Sequence, residues 1–415
     1  AWILWSLFGA LPFFLSGYIP SYLDAFFETV SGFTTTGSSI MPDVEILPQC
    51  MHFWRSFTHW IGGMGVLVFL LAIIPLSGGS NFNLMRAESP GPSVGKLVPK
   101  IRTTARLLYL IYLALTVMEF VFLVAGRMPV YDAICTSIGT AGTGGFGIKA
   151  DSMGGYSAYI QWVVTIFMIL FGVNFNAYYF ILYKKVKKAL KLEEVRYYFL
   201  IILVATGIIF MNLLQTSMGI WDSLRHAAFQ VATIITTTGY STVDFNAWCQ
   251  TSKTVLVLLM FVGACAGSTG GGIKVSRFVI LIKTVGKELQ SYIHPKSIKK
   301  INIDKKPVEH DVVRATNVYF ITFVILFVAS VFLISFEDKD LVTNFTAVAA
   351  TINNIGPGLD LVGPTQNFDC FSAPSKYVLI FDMLAGRLEL FPLLILFHPV
   401  MLRQFFIRKK KTNKK

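Results

Sequence analysis

Thr236-Thr237-Thr238-Gly239-Tyr240 is the stretch on which the reading of this sequence turns. It closes a short helical pattern that begins near Asp222, and nearly the same phrase stands much earlier, at Thr34-Thr35-Thr36-Gly37-Ser38. Looser copies follow at Gly142-Thr143-Gly144-Gly145-Phe146 and Asn353-Asn354-Ile355-Gly356-Pro357. The glycines at 37, 145, 239 and 356 stand between 94 and 117 residues apart, too far for a solenoid repeat. The spacing suits four tandem membrane units, each delivering one glycine-centred loop to a shared place.

Chemistry explains these residue types. Lining a narrow ion path with carbonyl oxygens requires successive peptides to point the same way, through backbone angles open mainly to glycine. Threonine adds a hydroxyl at the inner end of the path and a methyl to pack behind it. Four such loops around one axis can replace the hydration shell of a monovalent cation. A single T-T-T-G is equally the glycine-capped end of a polar helix. Four copies, each after a similar helix and before a long apolar one, favour the ion path.

Composition places these loops in a membrane. The 415 residues are 54% hydrophobic and only 14% charged, with a mean hydropathy of +0.61, which fits a polytopic membrane protein in a lipid bilayer. The net charge of +13 is not spread as a nucleic-acid surface would require. Basic residues cluster between apolar segments, at 86–106, 184–196, 283–314 and 403–415, while the alternate stretches carry Asp24, Glu28, Asp43 and Glu45. That alternation puts the basic clusters and the C-terminus in the cytoplasm and the glycine loops outside. Nucleic acid is not an expected partner. The five cysteines have no metal-ligand spacing, and a disulfide among Cys50, Cys249 and Cys370 stays open. No HExxH pair or GxSxG elbow supports an enzyme.

Taken in order, the sequence predicts an all-α membrane protein: four fused helix–re-entrant pore loop–helix units with pseudo-fourfold symmetry around one pore. Unit 1 occupies 1–76, a cytoplasmic linker and unit 2 occupy 77–190, unit 3 occupies 191–292, and a linker, unit 4 and a basic tail occupy 293–415. The apolar start without Met predicts that the sequence begins inside a longer protein, with a first helix over 1–19 bent near Pro12. Short helices are expected at 22–31, 130–140, 222–235 (with Asp222 as N-cap) and 341–352. Outer helices are expected at 107–125, 197–215 and 312–335, and inner helices at 53–74, 159–183, 254–285 and 376–402. Small residues at 62–65 permit close helix contact.

The third inner helix is interrupted by Gly263-Ala264-Cys265-Ala266-Gly267-Ser268-Thr269-Gly270-Gly271-Gly272. So many glycines do not stay helical at little cost, and irregular backbone at that depth is tolerated only against protein or a wet cavity. A phosphate-binding loop is excluded, because Ile273 intervenes before Lys274 and Val275 stands where the motif needs Ser or Thr. A gate on the inner side of the glycine loops and a passive kink are the two readings, and broken helices near a midplane favour the gate. Arg387, deep in the last apolar helix, needs a cavity or a partner. Neither Asp382 nor Glu389 is spaced to pair with it along one face. It opposes cations below the loops or joins another helix in an ion pair. Glu119 reads as an interfacial or packed group, and His59 and His226 as packing or interfacial polar residues.

With these features in hand, the chain resembles the TrkH/KtrB superfamily of bacterial potassium transporters, on the TrkH branch. The phrases that carry the resemblance are Arg86-Ala87-Glu88-Ser89-Pro90-Gly91-Pro92, the segment from Ala264 to Lys274, Asn353-Asn354-Ile355-Gly356-Pro357-Gly358-Leu359, and Gly386-Arg387-Leu388-Glu389. The resemblance implies a selectivity filter whose ion-binding residues are Thr35, Thr36 and Gly37, Thr143, Gly144 and Gly145, Thr237, Thr238 and Gly239, and Asn354, Ile355 and Gly356. Thr35, Thr143, Thr237 and Asn354 would stand at its inner end. A gate beneath would comprise Gly267, Ser268, Thr269, Gly270, Gly271, Gly272, Lys274 and Arg387. It further implies K+ as substrate with no organic cofactor in this subunit, a homodimer, cytoplasmic TrkA-type nucleotide-binding regulatory subunits, and the bacterial cytoplasmic membrane. Asn354-Ile355 departs from the paired threonines of copies one and three, so imperfect ion discrimination is expected. The rivals are a K+ symporter coupled to H+ or Na+, and a membrane-embedded enzyme or signalling scaffold.

Overall fold

The computed structural model describes residues 2–65, 101–295, 300–395 and 399. The expected 76–100 linker with its Arg86–Pro92 phrase, the end of the first inner helix past residue 65, and the basic tail lie outside the described residues. In chain order the elements are α1 (Trp2–Leu15), α2 (Tyr22–Phe33), α3 (Gln49–Gly63), α4 (Ile101–Ala125), α5 (Val130–Gly142), α6 (Ala158–Gly172), α7 (Phe175–Leu182), α8 (Val186–Leu190), α9 (Glu193–Leu213), α10 (Ile220–Ile235), α11 (Gln250–Val262) and α12 (Val275–Ile293). A two-strand hairpin, β1 (Asn302–Ile303) and β2 (Lys306–Pro307), precedes α13 (His310–Ile334), α14 (Leu341–Ile352), α15 (Ala373–Arg387) and α16 (Phe391–Leu394).

Helix length sorts these elements into roles. α4, α9 and α13 each contain an apolar stretch long enough to cross a bilayer. Their exposed sides carry Leu110, Val121, Leu203, Met211, Ile325 and Phe332, as a lipid-facing surface requires. By contrast α2, α5, α10 and α14 have 12, 13, 16 and 12 residues. At 1.5 Å per residue they span roughly 18–24 Å, too short to cross. Their last turns are almost wholly buried, so they are re-entrant helices.

One packing rule repeats around the molecule. Within each unit the outer helix lies against its own short helix: α1 on α2, α4 on α5, α9 on α10 and α13 on α14. Each inner helix packs against the short helix of the next unit: α3 on α5, α6 on α10, α11 on α14 and, closing the circle, α15 on α2. The chain is an all-α membrane protein of four such units.

Several details differ from the sequence reading. The second inner helix is broken: α6 and α7 meet at 93°. Asn174 causes the elbow locally, since its Oδ1 accepts the Asn176 N–H at 2.9 Å and starts a new helix, while the Gly172 carbonyl is taken by the Cys265 N–H at 3.1 Å. Asp222 is not the cap of α10; Gly219 holds that position, and Asp222 pairs with Arg225 at 2.7 Å instead. α1 stops at Leu15 with Pro12 inside it. The last inner helix ends at Arg387 and turns at Glu389 (φ 58°) before α16. All five cysteines are free.

Candidate functional site

The four short helices end at the four glycine phrases, and each loop closes with the same hydrogen bonds. The N–H groups of Thr35, Thr143, Thr237 and Asn354 donate to the carbonyls three residues back, at Gly32, Thr140, Ile234 and Thr351 (2.9–3.2 Å). Those of Thr36, Gly144, Thr238 and Ile355 donate five residues back, to Ser31, Gly139, Thr233 and Ala350 (2.8–3.1 Å). The donors therefore point into the protein. Thr35, Thr143, Thr237 and Asn354 are left-handed, with φ between 54° and 57°. Two residues on, Gly37, Gly145, Gly239 and Gly356 have φ of 82°, 76°, 89° and 103°. Left-handed residues at every second position let successive carbonyls face the same side of a loop.

The loops meet. A Cβ built on Gly37 would strike the carbonyl oxygen of Gly144, one on Gly145 that of Thr238, and one on Gly239 that of Ile355. One on Gly356 would lie 2.9 Å from the Thr36 oxygen, closing a ring in the order of units 1, 2, 3 and 4. Every neighbour named is the residue before the next unit's glycine. Among the described residues, the carbonyls of Thr35, Thr36, Gly37, Thr143, Gly144, Gly145, Thr237, Thr238, Gly239, Asn354 and Ile355 receive no hydrogen bond. Gly356 O accepts one, from the Ser38 hydroxyl at 3.0 Å. A cavity of 140 Å³ opens at the glycine end of the ring, lined by all four glycines and by Ser38, Arg55 and Gln366.

The side chains below the glycines differ from unit to unit. In units 1 and 3 the first threonine returns its hydroxyl to the helix, Thr34 to Val30 O and Thr236 to Ala232 O, both at 2.7 Å. It also bonds the third threonine, Thr36 or Thr238, at 2.8 Å. In unit 4 the amide of Asn353 replaces the first hydroxyl, donating to Ala349 O at 2.9 Å. Asn354 Nδ2 donates sideways to Thr36 Oγ1 and Met383 O, each at 2.9 Å, so this wall is braced onto unit 1. Among the described residues, the Thr35 hydroxyl and Asn354 Oδ1 are buried without a partner.

The residues from Gly263 to Lys274 fold into a compact loop against the threonine end of the ring. Gly271 N–H donates to Thr237 Oγ1 at 2.6 Å. A Cβ on Gly270 would sit 2.8 Å from Thr236 O, so glycine alone permits this approach. Lys274, left-handed at φ 85° and 1% exposed, turns its ammonium back to Gly270 O. Arg387 crosses from α15 to the same place. Its Nη1 donates to Thr269 O at 3.0 Å and its Nη2 to Gly63 O at 2.8 Å, with Gly62 O also accepting. It thus links units 4, 3 and 1. The nearby acids are engaged elsewhere: Glu389 with Arg277 of α12, and Asp382 Oδ1 with the Ser330 hydroxyl at 2.7 Å.

Around the ring the sequence reading missed a buried brace. Glu28 is 1% exposed; its Oε1 accepts Arg55 Nε at 2.8 Å and its Oε2 the Ile40 N–H at 2.9 Å. Arg55 also donates to Gly147 O at 3.2 Å and lies 4.0 Å over the Phe146 ring. The sequence reading counted Glu28 only among the acids of the outer stretches. His59 is a packing residue, its ring against Phe146 and its Nδ1 2.8 Å from Gly32 O. Glu119 is fully buried rather than interfacial.

The TrkH family model, described as a cation transport protein, matches residues 1–409. The Trk system potassium uptake protein TrkH of Salmonella typhimurium is 36% identical over 97% of this chain and 84% of its own length. The TrkG protein of Escherichia coli is 33% identical over 95% of this chain and 82% of its own length. The crystal structure of the potassium transporter TrkH from Vibrio parahaemolyticus superposes with a TM-score of 0.85 at 34% identity, covering 96% of this chain and 83% of that one.

Proposed function

The chain belongs to the TrkH family of cation transport proteins, an integral membrane family of transporters rather than enzymes, and from that premise we propose that it carries potassium into the cell through a gated, channel-like pore. The observation that carries this reading is the ring: four left-handed glycines whose loops abut in a closed circle, with carbonyls of which, among the described residues, only that of Gly356 has a protein donor, the Ser38 hydroxyl. Buried carbonyls without donors are costly unless water or a cation meets them. Oxygen dipoles in a closed circle are what a dehydrated K+ requires. Gly37, Gly145, Gly239 and Gly356, with the two residues before each, are the proposed filter. The short helices aim their negative C-terminal ends at the same point and favour a cation without a carboxylate.

The loop 267–272, Lys274 and Arg387 form the proposed gate, because they lie directly under the threonine end and Arg387 adds a positive charge there. Uptake draws on the membrane potential, about 2.3 kcal/mol per charge at 100 mV. Lys184, Lys185, Lys187, Lys188 and Lys191 are exposed and offer a cytoplasmic face to TrkA-type regulatory subunits. Purified protein in liposomes, given K+ and Na+ gradients separately, tests the function. Potassium flux well above sodium flux, with current reversing at the potassium equilibrium potential, is expected. Absence of cation flux, or reversal that follows the proton or sodium gradient, overturns it.

A further inference from the structure

The loop between α11 and α12 has no helical ladder of its own, so its position depends on what it touches. Backbone contacts from the unit 2 elbow hold part of it: Cys265 N–H donates to Gly172 O at 3.1 Å, and Phe175 N–H to Gly267 O at 3.0 Å. One side chain holds both of its ends. Glu194, in the first turn of α9, accepts the Ala266 N–H at 2.6 Å and the Ser276 N–H at 3.2 Å, both on Oε1. Its Oε2 accepts Asn174 Nδ2 at 3.2 Å. A single carboxylate thereby ties together the entry of the loop, its exit into α12, and the elbow of α6 and α7.

The adjacent Glu193 extends the connection away from the ring. It pairs with Lys283 of α12 at 2.5 Å and accepts the Asp304 N–H at 3.3 Å, while its own N–H donates to Asp304 Oδ1 at 2.7 Å. Lys283 also reaches Asn302 O at 2.7 Å. The hairpin of β1 and β2 is therefore joined through two consecutive glutamates to the loop beneath the filter.

We propose that Glu194 is the latch of this loop, a positioning residue that keeps it under the ring and that transport requires to let go of Ala266 and Ser276. A carboxylate suits the task because it is an acceptor only, with lone pairs enough for three donors at once. Bonds to an ionised acceptor are also stronger than neutral ones. Displacement of the hairpin would act on the latch through Glu193, which gives a cytoplasmic partner a mechanical route to the loop. The proposal rests on the reading of the loop as the gate.

Hydrogen exchange over residues 264–276 and potassium flux in liposomes, measured on the same preparations, separate the two ideas. Glu194→Ala is expected to raise exchange in that segment and to raise basal flux roughly tenfold, since several charge-assisted bonds are lost. Glu194→Gln sets an amide donor against the Asn174 amide, and Asn174→Asp sets two carboxylates together, so each alone loosens the loop. The double variant Asn174→Asp/Glu194→Gln restores donor to acceptor and is expected to return exchange and flux towards the parent protein. A merely structural role would not give that rescue. Unchanged exchange in Glu194→Ala and in both other single variants overturns the latch. Raised exchange with unchanged flux leaves the loop tethered by Glu194 but removes it as the gate. If Glu194→Ala does not fold, the singles and the double decide the matter alone.

Discussion

A threonine in the left-handed region is rare because its β-branch crowds the backbone, yet Thr35, Thr143 and Thr237 all occupy it beside their glycines. Such residues cost about 1–3 kcal/mol each and persist where the surroundings over-determine them. Here the fixing groups are the paired N–H bonds back to each short helix. The glycines were legible in the sequence, because a repeated T-T-T-G asks for a reason. The left-handed threonine two residues earlier was not, since local preference argues against it. At Gly239 the requirement is double: φ is 89°, and a methyl group would meet Ile355 O and lie 3.1 Å from Pro357 Cδ. Gly239→Ala is expected to reduce potassium flux at least about tenfold, or to erase preference for K+ over Na+, because one wall of the ring must shift. Flux indistinguishable from the parent in liposomes would mean that this loop does not line the ion path.

At the level of elements, helix lengths followed from the apolar pattern closely enough that α14 spans 341–352 as expected. Breaks were harder to read. The glycine run announced the loop after α11, but the 93° elbow after α6 hangs on Asn174 within a stretch apolar on both sides. Glu193 and Glu194 had a faint signal, two acids inside the basic run 184–196, which topology alone does not explain. The Glu28–Arg55 brace joins α2 to α3, and its two side chains are 0% and 2% exposed. Breaking one partner of such a pair strands the other charge and costs about 3–5 kcal/mol. Glu28→Gln is therefore expected to lower thermal stability by several degrees and to destabilise the mouth of the ring, where Arg55 also bonds Gly147 O. Calorimetry or a detergent-based melting assay checks it; an unchanged melting temperature would place the pair among those that contribute little.

For the molecule as a whole, the four-unit plan was readable because repeats and charge alternation are long-range features of one chain. What escaped the sequence was the closure rule, in which each inner helix supports the next unit's short helix and α15 returns to α2. Arg387 belongs to this scale, since its guanidinium joins carbonyls of units 3 and 1 from a helix of unit 4. Its sequence surroundings left open an ion pair or a cavity; in the structure its guanidinium donates to peptide oxygens of the loop and of α3. Arg387→Gln is expected to raise basal potassium flux severalfold, by removing a positive charge below the ring and one tie across it. A fall in flux, with the protein still folded by its melting curve, would reassign the residue to holding the pathway open.

Because one polypeptide supplies all four sides, no change in the gene is repeated around the axis. Each substitution alters a single quadrant and leaves three oxygens per tier as they were. On the proposed reading of the ring as a filter, ion preference can therefore be adjusted in graded steps, and the Asn354-Ile355 quadrant, already tied sideways to Thr36, would be one such step.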